Sequence, residues 1–400
     1  LATRLKYGPD EPAHFIYIRS LAVDLTPPPI SSEVTPTEDS TSTHEGHQPP
    51  LYYGLMAIPF AILKAFGASS DTIWRVLRLL NIPIGAAWIY LVYVLARLFF
   101  TKNSYALAVA AFVALIPSSA YMAGVVNNDV LISLLFTWAL IPIVAYFRSG
   151  SISARSAVGL GVLIGLSILA KGQGLILIPT LLLASLAVCR RADYSNWRQV
   201  ARSAAIAIGV SVLLSGWWFV RCWHLYGTLM PHSLFKPMLP DGPLVLLSYP
   251  VEAIKLVRVA TEFLFGHFWL PYWLVQPYAP WNACMRPVLI LTVLGLIGLL
   301  FRLRRNADLD RRTLALLLFP PVAVYLFWLR YVLEVDAGAN MQGRLLLPVA
   351  SVIGILAVLG ADGWLRSHRM RMAGLTIGAV GMALLNLWII RCVIAYYAAT

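Results

Sequence analysis

Long apolar runs, separated by short polar segments, fill most of this 400-residue chain. Runs that approach the length of a membrane crossing lie at 79–96, 104–126, 130–147, 156–170, 173–189, 203–220, 284–301, 313–330, 345–361 and 373–394. A helix needs about 20 mostly apolar residues to cross a hydrocarbon layer of about 30 Å. The pattern therefore predicts an all-α fold, a polytopic transmembrane helix bundle with about ten spans.

Three apolar stretches are shorter than a normal crossing. The runs 156–170 and 173–189 are separated by "AKGQG". As one broken helix they would be too long for a single crossing, so we interpret them as two spans. If residues 51–66 also spanned, every later loop would exchange sides. We therefore expect an interfacial or re-entrant helix at 51–66, on the outer face.

Basic residues concentrate in alternate loops, and this predicts the orientation. If residues 1–78 lie outside, the inner loops are 97–103, 148–155, 190–202, 302–312 and 366–371. These loops hold 16 of the 31 lysines and arginines. Short loops rich in Lys and Arg stay on the cytoplasmic side of membranes. We therefore expect a multi-pass protein of the inner membrane, with residues 1–78 facing the periplasm or exterior.

Composition agrees with this class and excludes others. The chain is 59% hydrophobic, only 12% charged, and has a mean hydropathy of +0.74. Soluble domains are about 45–50% apolar and about 25% charged. The net charge of +13 does not indicate a nucleic-acid partner, because the basic residues lie in short loops between apolar runs. The four cysteines include no CxxC pair, so a zinc ribbon or a thioredoxin-like site has no support.

The chain divides into four regions on this interpretation. Residues 1–78 form an outer loop with interfacial helices and carry candidate catalytic residues, 79–220 are transmembrane helices, 221–283 form an outer aromatic loop, and 284–400 are transmembrane helices. The first residues include neither Met nor an apolar leader, so we expect one more N-terminal helix in the natural protein. Cys222 and Cys284 flank the aromatic loop, and the sequence leaves open whether they pair.

Ionisable side chains at membrane depth are costly and therefore candidates for function, and this argument weakens near a helix end, where the cost falls. The stretch "GPDEPAHFIY" carries Asp10, Glu11 and His14. Adjacent carboxylates point in different directions, so we expect one of the two acids to act and the other to orient or cap. An N-cap at Asp10, with Pro12 in the first turn of a helix, is the structural alternative and is compatible with function.

Two further polar stretches precede predicted helices. In "HEGHQPPLYY", His44 and His47 stand three residues apart, which differs from the HExxH spacing of metalloproteases. The segment is compatible with a divalent metal site and with a solvated loop, and both alternatives stay open. In "VVNNDVLISLL", Asn128 and Asp129 begin a span. Capping is the alternative to a functional role for both of them.

Basic and amide side chains at the same outer face suit an anionic ligand. Lys171 lies between two short spans beside flexible glycines, where it binds a phosphate or extends to water. Gln342 and Arg344 stand at a helix N-terminus, where backbone N–H groups also attract anions. Arg221, at the end of another span, is open to both interpretations. Because the span centres are almost free of charge, chemistry at the outer interface is favoured over translocation.

These motifs together resemble the GT-C superfamily of membrane glycosyltransferases that use polyprenyl-phosphate sugars. The resemblance is carried by "DE" in the first outer loop, "HQPPLYY", "NND" at a helix start, a Lys between two short spans, and "QGR…LP" late in the chain. Protein O-mannosyltransferases and the lipid A aminoarabinose transferase are relatives within that superfamily. The segments "DEPAHF" and "QGRLLLP" are most similar to those of an uncharacterised bacterial branch.

The resemblance implies an inverting transfer of a hexose or pentose from a lipid phosphate to an acceptor hydroxyl at the outer membrane face. It implies Asp10 as general base, with Glu11 as the alternate and Asp129 as the second acid. Lys171 and Arg344 would neutralise the phosphate. The residues expected to line the substrate site are His14, His47, Asn128, Arg221 and Gln342.

The implied partners are a lipid-linked sugar, an unidentified acceptor and the membrane, with no nucleic acid. No cofactor is certain, and a divalent metal ion stays open. The alternative functions are a polysaccharide polymerase or ligase, a transporter of envelope glycans, and a scaffold subunit of an envelope complex.

Overall fold

The computed structural model describes residues 4–30, 43–231, 250–269, 281–305, 310–334, 342–365 and 367–399. Within these ranges the regular structure is helical, without β-strands. The α-helices are α1 Glu11–Val23, α2 Leu51–Ala65, α3 Ser70–Arg97, α4 Asn103–Ala114, α5 Pro117–Met122, α6 Asp129–Ser149, α7 Ala154–Ala170, α8 Leu177–Arg191, α9 Trp197–Tyr226, α10 Pro250–Trp269, α11 Trp281–Arg305, α12 Arg311–Glu334, α13 Ala350–Trp364 and α14 His368–Ala399. Three 3₁₀ turns cover His44–His47, Gly172–Ile176 and Gly343–Val349.

Seven helical segments in these ranges are long and apolar enough to cross a membrane. They are Ser70–Arg97, Asp129–Ser149, Gly172–Arg191, Trp197–Tyr226, Arg311–Arg330, Gly343–Trp364 and Arg369–Cys392. Shorter apolar helices occur at Leu51–Ala65, Asn103–Ala114 and Ala154–Ala170. The predicted all-α, polytopic helix bundle is therefore confirmed as the fold class.

The predicted continuous span 104–126 is wrong, because the helix breaks at Pro117. α4 ends at Ala114, and α5 is a separate short helix, Pro117–Met122. Ile116 has an extended backbone (φ −62°, ψ 120°), as expected for a residue whose helical conformation is disfavoured by a following proline. The chain therefore turns before α6 and places the "NND" motif in a buried loop.

The predicted outer loop 221–283 also contains regular structure. α9 continues to Tyr226 and ends at Gly227, whose φ of 69° lies in the left-handed region that glycine adopts easily. α10 then occupies residues 250–269. Cys222 is a buried free thiol, whereas the side chain of Cys284 lies outside the described residues. The four regional boundaries stay a prediction.

The turn between α7 and α8 agrees with the interpretation of "AKGQG" as a break. α7 ends at Ala170, and the 3₁₀ turn Gly172–Ile176 leads directly into α8. A Cβ added at Gly174 would clash with the backbone of Ser167 and Ile168, so only glycine allows this close return of the chain. Lys171 is thereby held at one end of the bundle.

One buried ion pair ties the N-terminal segment to the bundle. Glu11 and Arg78 are 0% and 1% exposed, and Glu11 Oε1 accepts a hydrogen bond of 2.7 Å from Arg78 Nε. Glu11 also accepts from the backbone N–H of Val126 at 2.9 Å and of Gly8 at 3.1 Å. A single carboxylate therefore joins α1, α3 and the loop before α6, which fixes the spacing of the two loops that carry Asp10 and Asp129.

The opposite end of the bundle is closed by α11, α13 and α14. Asp362 near the end of α13 is buried and forms an ion pair with Arg302 of α11 at 2.7 Å. It also forms an ion pair with Arg371 of α14 at 3.0 Å. A Cβ added at Gly298 would clash with the carbonyl oxygen of Gly360, so α11 and α13 touch through their backbones. Close backbone contact through small residues is typical of packing between membrane helices.

We expect Glu11→Gln to lower the free energy of unfolding by about 3–5 kcal/mol, because it leaves the buried Arg78 guanidinium without its counter-charge. The measurement is an unfolding titration in mixed micelles. Glu262→Gln is the control, since Glu262 pairs with Arg258 at 3.5 Å on an exposed helix surface. That change should cost less than about 1 kcal/mol. Equal losses in the two variants would contradict the structural role of the Glu11–Arg78 pair.

Candidate functional site

Four segments that are distant in the sequence bring charged side chains together at one end of the bundle. We call Asp10, Asp129, Lys171 and Arg344 the polar cluster. Arg344 Nη2 donates to Asp10 Oδ2, and Arg344 Nη1 lies 3.6 Å from Asp129 Oδ2. Lys171 Nζ donates to Asp129 Oδ1. Arg344 thus bridges the two carboxylates, and Lys171 contacts the second one from the other side.

Asp10 occupies the N-cap position of α1 without capping it through its side chain. Its backbone carbonyl accepts from the N–H of His14 at 3.0 Å and so begins the helix. Its φ of 54° and ψ of 12° are left-handed, a conformation that Asp tolerates better than most residues. The side chain points to Arg344 instead. Asp10 therefore occupies the predicted N-cap position, but its side chain does not form a capping hydrogen bond.

Asn127 does the capping that lets the Asp129 side chain face the cluster. Asn127 Oδ1 accepts from the backbone N–H of Asp129 at 2.8 Å, and Tyr52 hydroxyl accepts from the N–H of Asn127 at 3.0 Å. Asn128 donates from Nδ2 to the carbonyl of Ala170 at 3.2 Å, next to Lys171. This network holds the start of α6 against the end of α7.

Arg344 is positioned by backbone contact with α10. It lies on the 3₁₀ turn Gly343–Val349. A Cβ added at Gly343 would clash with the backbone nitrogen of Phe268, so the turn and the helix touch directly. Gln173 donates from Nε2 to the carbonyl of Leu345 at 2.9 Å and ties the same turn to the α7–α8 connection. The guanidinium therefore projects from a backbone that is fixed on two sides.

Exposure differs sharply within the polar cluster. The side chain of Asp10 is 30% exposed, whereas those of Arg344 and Lys171 are 10% exposed and that of Asp129 is 0%. Asp129 Oδ2 is buried without a hydrogen bond among the described residues. Asp10 is therefore the acid of the cluster that an incoming molecule can reach, whereas buried Asp129 contacts Lys171 and Arg344.

The surroundings of Asp10 keep it ionised. Burial alone would raise the pKa of its carboxyl, but Arg344 and His44 outweigh burial and hold that pKa well below its usual range. For His44, burial would lower the pKa, but the hydrogen bond with Asp10 and the charge of Glu45 raise it above the ordinary value. The site therefore contains an anion at Asp10 and, beside it, a histidine with a raised pKa.

A second group of polar atoms adjoins Asp10. His44 Nε2 lies 3.6 Å from Asp10 Oδ1 and 3.7 Å from Glu45 Oε1. The possible ligand atoms of Asp10, His44 and Glu45 all lie within 4.8 Å of one another. Glu45 Oε2 is buried without a hydrogen bond among the described residues and is 4.0 Å from His14 Nδ1. Two carboxylates and an imidazole at this separation suit a divalent cation such as Zn²⁺.

Glu11 does not share the environment of Asp10, although both were predicted as candidate bases. Arg78 and two backbone N–H groups occupy both Glu11 oxygens, and the side chain is fully buried. This geometry disfavours proton transfer by Glu11. His14 is also buried, with Nδ1 in a hydrogen bond of 2.9 Å to the Tyr53 hydroxyl, while Nε2 has no bond in the described structure.

Three other predicted site residues lie outside the polar cluster. His47 Nδ1 is 2.7 Å from the carbonyl of His44, and its Nε2 is 3.0 Å from the side-chain amide of Gln48, so both ring nitrogens are used within its own loop. Arg221 donates to the carbonyl of Pro27 at 3.2 Å, which anchors the segment after α1. Gln342 is the N-cap residue of the turn that carries Arg344, without a side-chain cap bond.

Sequence reasoning missed Arg78 and gave Glu45 too little weight. Arg78 lies in "RVLRLLNIP", directly before the predicted span 79–96. A charged residue beside an apolar run was the available signal. Glu45 was considered only within the "HEGH" spacing, and nothing local shows that its carboxylate lies next to Asp10.

Comparisons with solved structures identify the architecture. The crystal structure of ArnT from Cupriavidus metallidurans bound to undecaprenyl phosphate matches with a TM-score of 0.52 at 15% identity, over 99% of this chain and 71% of ArnT. The oligosaccharyltransferase of Archaeoglobus fulgidus, in complex with Zn and sulfate, matches with a TM-score of 0.54 at 19% identity. That match covers 97% of this chain and 49% of the oligosaccharyltransferase, so this chain spans about half of its length.

Sequence comparisons identify the family. Curated proteins give no sequence match. The model of the family described as "Predicted membrane protein (DUF2142)" matches residues 25–353, which is most of the chain. The chain therefore belongs to the DUF2142 family of membrane proteins, and its fold is similar to those of ArnT and the archaeal oligosaccharyltransferase.

Proposed function

We propose that this protein is an inverting glycosyltransferase that moves a sugar from a polyprenyl-phosphate carrier to an acceptor hydroxyl. The observation that carries the proposal is the polar cluster, in which two carboxylates and two cations from four distant segments meet at one end of a membrane bundle. The reaction needs a base for the hydroxyl and cations for the departing phosphate. Both kinds of group lie within one contact network.

Asp10 is the proposed general base. The acceptor oxygen forms a bond to the anomeric carbon while Asp10 takes the hydroxyl proton, and the bond from that carbon to the phosphate oxygen breaks. The electron pair leaves with the lipid phosphate, and a single displacement inverts the anomeric configuration. The partial exposure and ionised state of Asp10 support this role.

Arg344 and Lys171 are the proposed phosphate ligands. Arginine suits phosphate because its guanidinium presents two parallel N–H groups. In the free protein Arg344 holds the pKa of Asp10 down. As Arg344 turns toward an incoming phosphate, that pKa rises toward its usual range and Asp10 becomes a stronger base. Donor binding would thus activate the base, while buried Asp129 keeps Lys171 and Arg344 in place.

The fold supports the choice of donor. ArnT, which has the same architecture, was crystallised with undecaprenyl phosphate bound. We place the site on the periplasmic or outer face of the inner membrane, because the predicted inner loops carry the clustered arginines. His14 Nε2 and Asn128 Oδ1, both buried without a hydrogen bond in the described ranges, are proposed to bind sugar or acceptor hydroxyls.

The described charges do not support transport as a second function. A transport path would place ionisable groups near the bilayer midplane. The buried ionic groups of this structure instead gather at the two ends, around Asp10 and around Asp362. A polymerase or ligase of envelope glycans uses related transfer chemistry, and identification of the acceptor distinguishes it from the proposed enzyme.

A divalent cation fits the group of Asp10, His44 and Glu45. The buried Glu45 Oε2 atom, which has no hydrogen bond in the described ranges, supports this fit. Such a cation would supply positive charge that makes an acceptor hydroxyl easier to deprotonate. Asp10, His44 and Glu45 would hold the cation, and this would fix the position of the Asp10 carboxylate.

Asp10→Asn should lower kcat for transfer from a radiolabelled undecaprenyl-phosphate sugar by about 10²–10⁴-fold, because the amide cannot take the proton. The assay uses membranes with matched amounts of folded protein and a panel of donor sugars. Asp310→Asn is the control, since Asp310 pairs with Arg148 in a half-exposed position of another segment. Full activity in Asp10→Asn would contradict the base assignment. A wild-type protein without transfer from any donor would contradict the function.

Lys171→Met should weaken binding of undecaprenyl phosphate by about 10–100-fold, because a charge-assisted hydrogen bond is worth about 1.5–3 kcal/mol. Competition by unlabelled undecaprenyl phosphate in a binding assay measures this. Lys64→Met, which removes an exposed lysine from α2, is the matched control. Unchanged affinity in Lys171→Met would exclude Lys171 as a phosphate ligand.

Removal of divalent metal should lower thermal stability and metal content together. Purified protein is dialysed against a chelator, and bound Zn²⁺, Mn²⁺ and Mg²⁺ are measured by mass spectrometry with melting temperatures. Glu45→Gln should lose the retained metal, whereas His47→Gln, whose ring nitrogens bond within the loop, should keep it. Wild-type protein that binds no divalent ion after reloading would contradict the metal site.

A further inference from the structure

A groove separates α11 and α12 at the end of the bundle that lies far from the polar cluster. These helices are consecutive in the chain, yet α11 packs mainly against α13, and α12 packs against α8 and the 343–349 turn. The groove has a volume of about 600 Å³. Its walls include Leu300, Leu303, Leu314 and Leu318, together with Arg304 and Arg311.

The groove exists because α11 is drawn toward α13. The backbone contact at Gly298 and Gly360 leaves no space between these two helices. On the same side, Arg302 forms an ion pair with Asp362, and Arg305 donates to the carbonyl of Gly363 at 3.3 Å. Arg304 projects from another face of α11, into the groove. The three clustered arginines of this helix end therefore have different roles.

The charge of the groove is positive. Arg304 and Arg311 are both exposed. Among the described residues of this region, Asp362 pairs with Arg302 and Asp310 pairs with Arg148. Arg311 donates one N–H to the carbonyl of Leu303, and because a guanidinium has five N–H groups, further donors remain for a ligand. An apolar wall beside two such cations suits an anionic amphiphile.

The groove lies at a membrane boundary, away from the proposed transfer site. The apolar part of α11 ends at Phe301, just before its arginines. α13 begins next to the Arg344 turn and carries Asp362 near its other end. Asp362 follows Arg344 by 18 residues, which places the two roughly 30 Å apart at the rise of a helix. A molecule bound beside Arg304 therefore belongs to the opposite leaflet from a donor bound at Arg344.

We propose that this groove binds one anionic phospholipid, with its phosphate between Arg304 and Arg311 and an acyl chain along the leucines. Basic pockets between membrane helices on the cytoplasmic side bind anionic headgroups. The volume lies within the range of about 300–1,000 Å³ that is typical of ligand sites. An arginine that merely extends to water would contact headgroups without retaining a particular lipid. The apolar wall between separated helices is what makes retention specific.

The test is retention of lipid by the purified full chain. Protein is delipidated in detergent and incubated with equal amounts of phosphatidylglycerol and phosphatidylcholine, and native mass spectrometry counts the lipids that stay bound. We expect wild type to keep one phosphatidylglycerol with at least about 10-fold preference, since one strong charge-assisted bond is worth about 1.5 kcal/mol or more. Arg304→Gln combined with Arg311→Gln should lose this preference.

Two further variants separate a groove from general surface charge. Ala315→Trp keeps both arginines but fills the groove. It should reduce the retention of phosphatidylglycerol at least about 5-fold, because the acyl chain loses its contacts with the groove. Arg198→Gln combined with Arg202→Gln removes two exposed arginines from α9 and should keep wild-type retention. Equal loss in the α9 variant, full retention in Ala315→Trp, or no preference for phosphatidylglycerol would each overturn the proposal. The readout is independent of sugar transfer.

Discussion

The buried pair of Glu11 and Arg78 is the interaction on which the described site depends. A carboxylate without water is tolerated only when its lone pairs are bonded and its charge is matched. Glu11 meets both conditions, since Arg78 supplies the charge and two backbone N–H groups supply the remaining bonds. Because one of these N–H groups belongs to Val126, the acid that looked like a second base is the element that aligns two loops. The Asp10 and Asp129 carboxylates take their separation from it.

The polar cluster shows how a membrane bundle can keep charges ready for a charged ligand. Asp10 and Asp129 are matched by Arg344 and Lys171, so the free protein contains no large uncompensated charge among these four groups. A phosphate that enters must share cations that are already in use. Binding therefore exchanges one set of ion pairs for another, which keeps the cost of desolvation low and makes the carboxylates sensitive to occupancy.

Sequence reasoning predicted what depends on local pattern and missed what depends on contacts across the chain. Apolar runs predicted the helix class, and the positions of Asp129, Lys171 and Arg344 at helix ends placed them on one face. Pro117 was visible in the sequence, but the apolar run around it concealed that the helix breaks there. The bond from Asp10 to Arg344 joins residues 334 positions apart, so no local rule contains it. The same limit applies to Glu11, whose partner lies 67 residues away.

The absence of a side chain at Gly343 has a consequence for how the site moves. Two backbones touch there, so the distance from α10 to the Arg344 turn is set by atoms that have no rotamers. A displacement of α10 therefore moves the backbone of the turn from which the Arg344 guanidinium reaches both carboxylates. Because Arg344 lowers the pKa of Asp10, we expect the position of α10 to influence the basicity of that carboxylate.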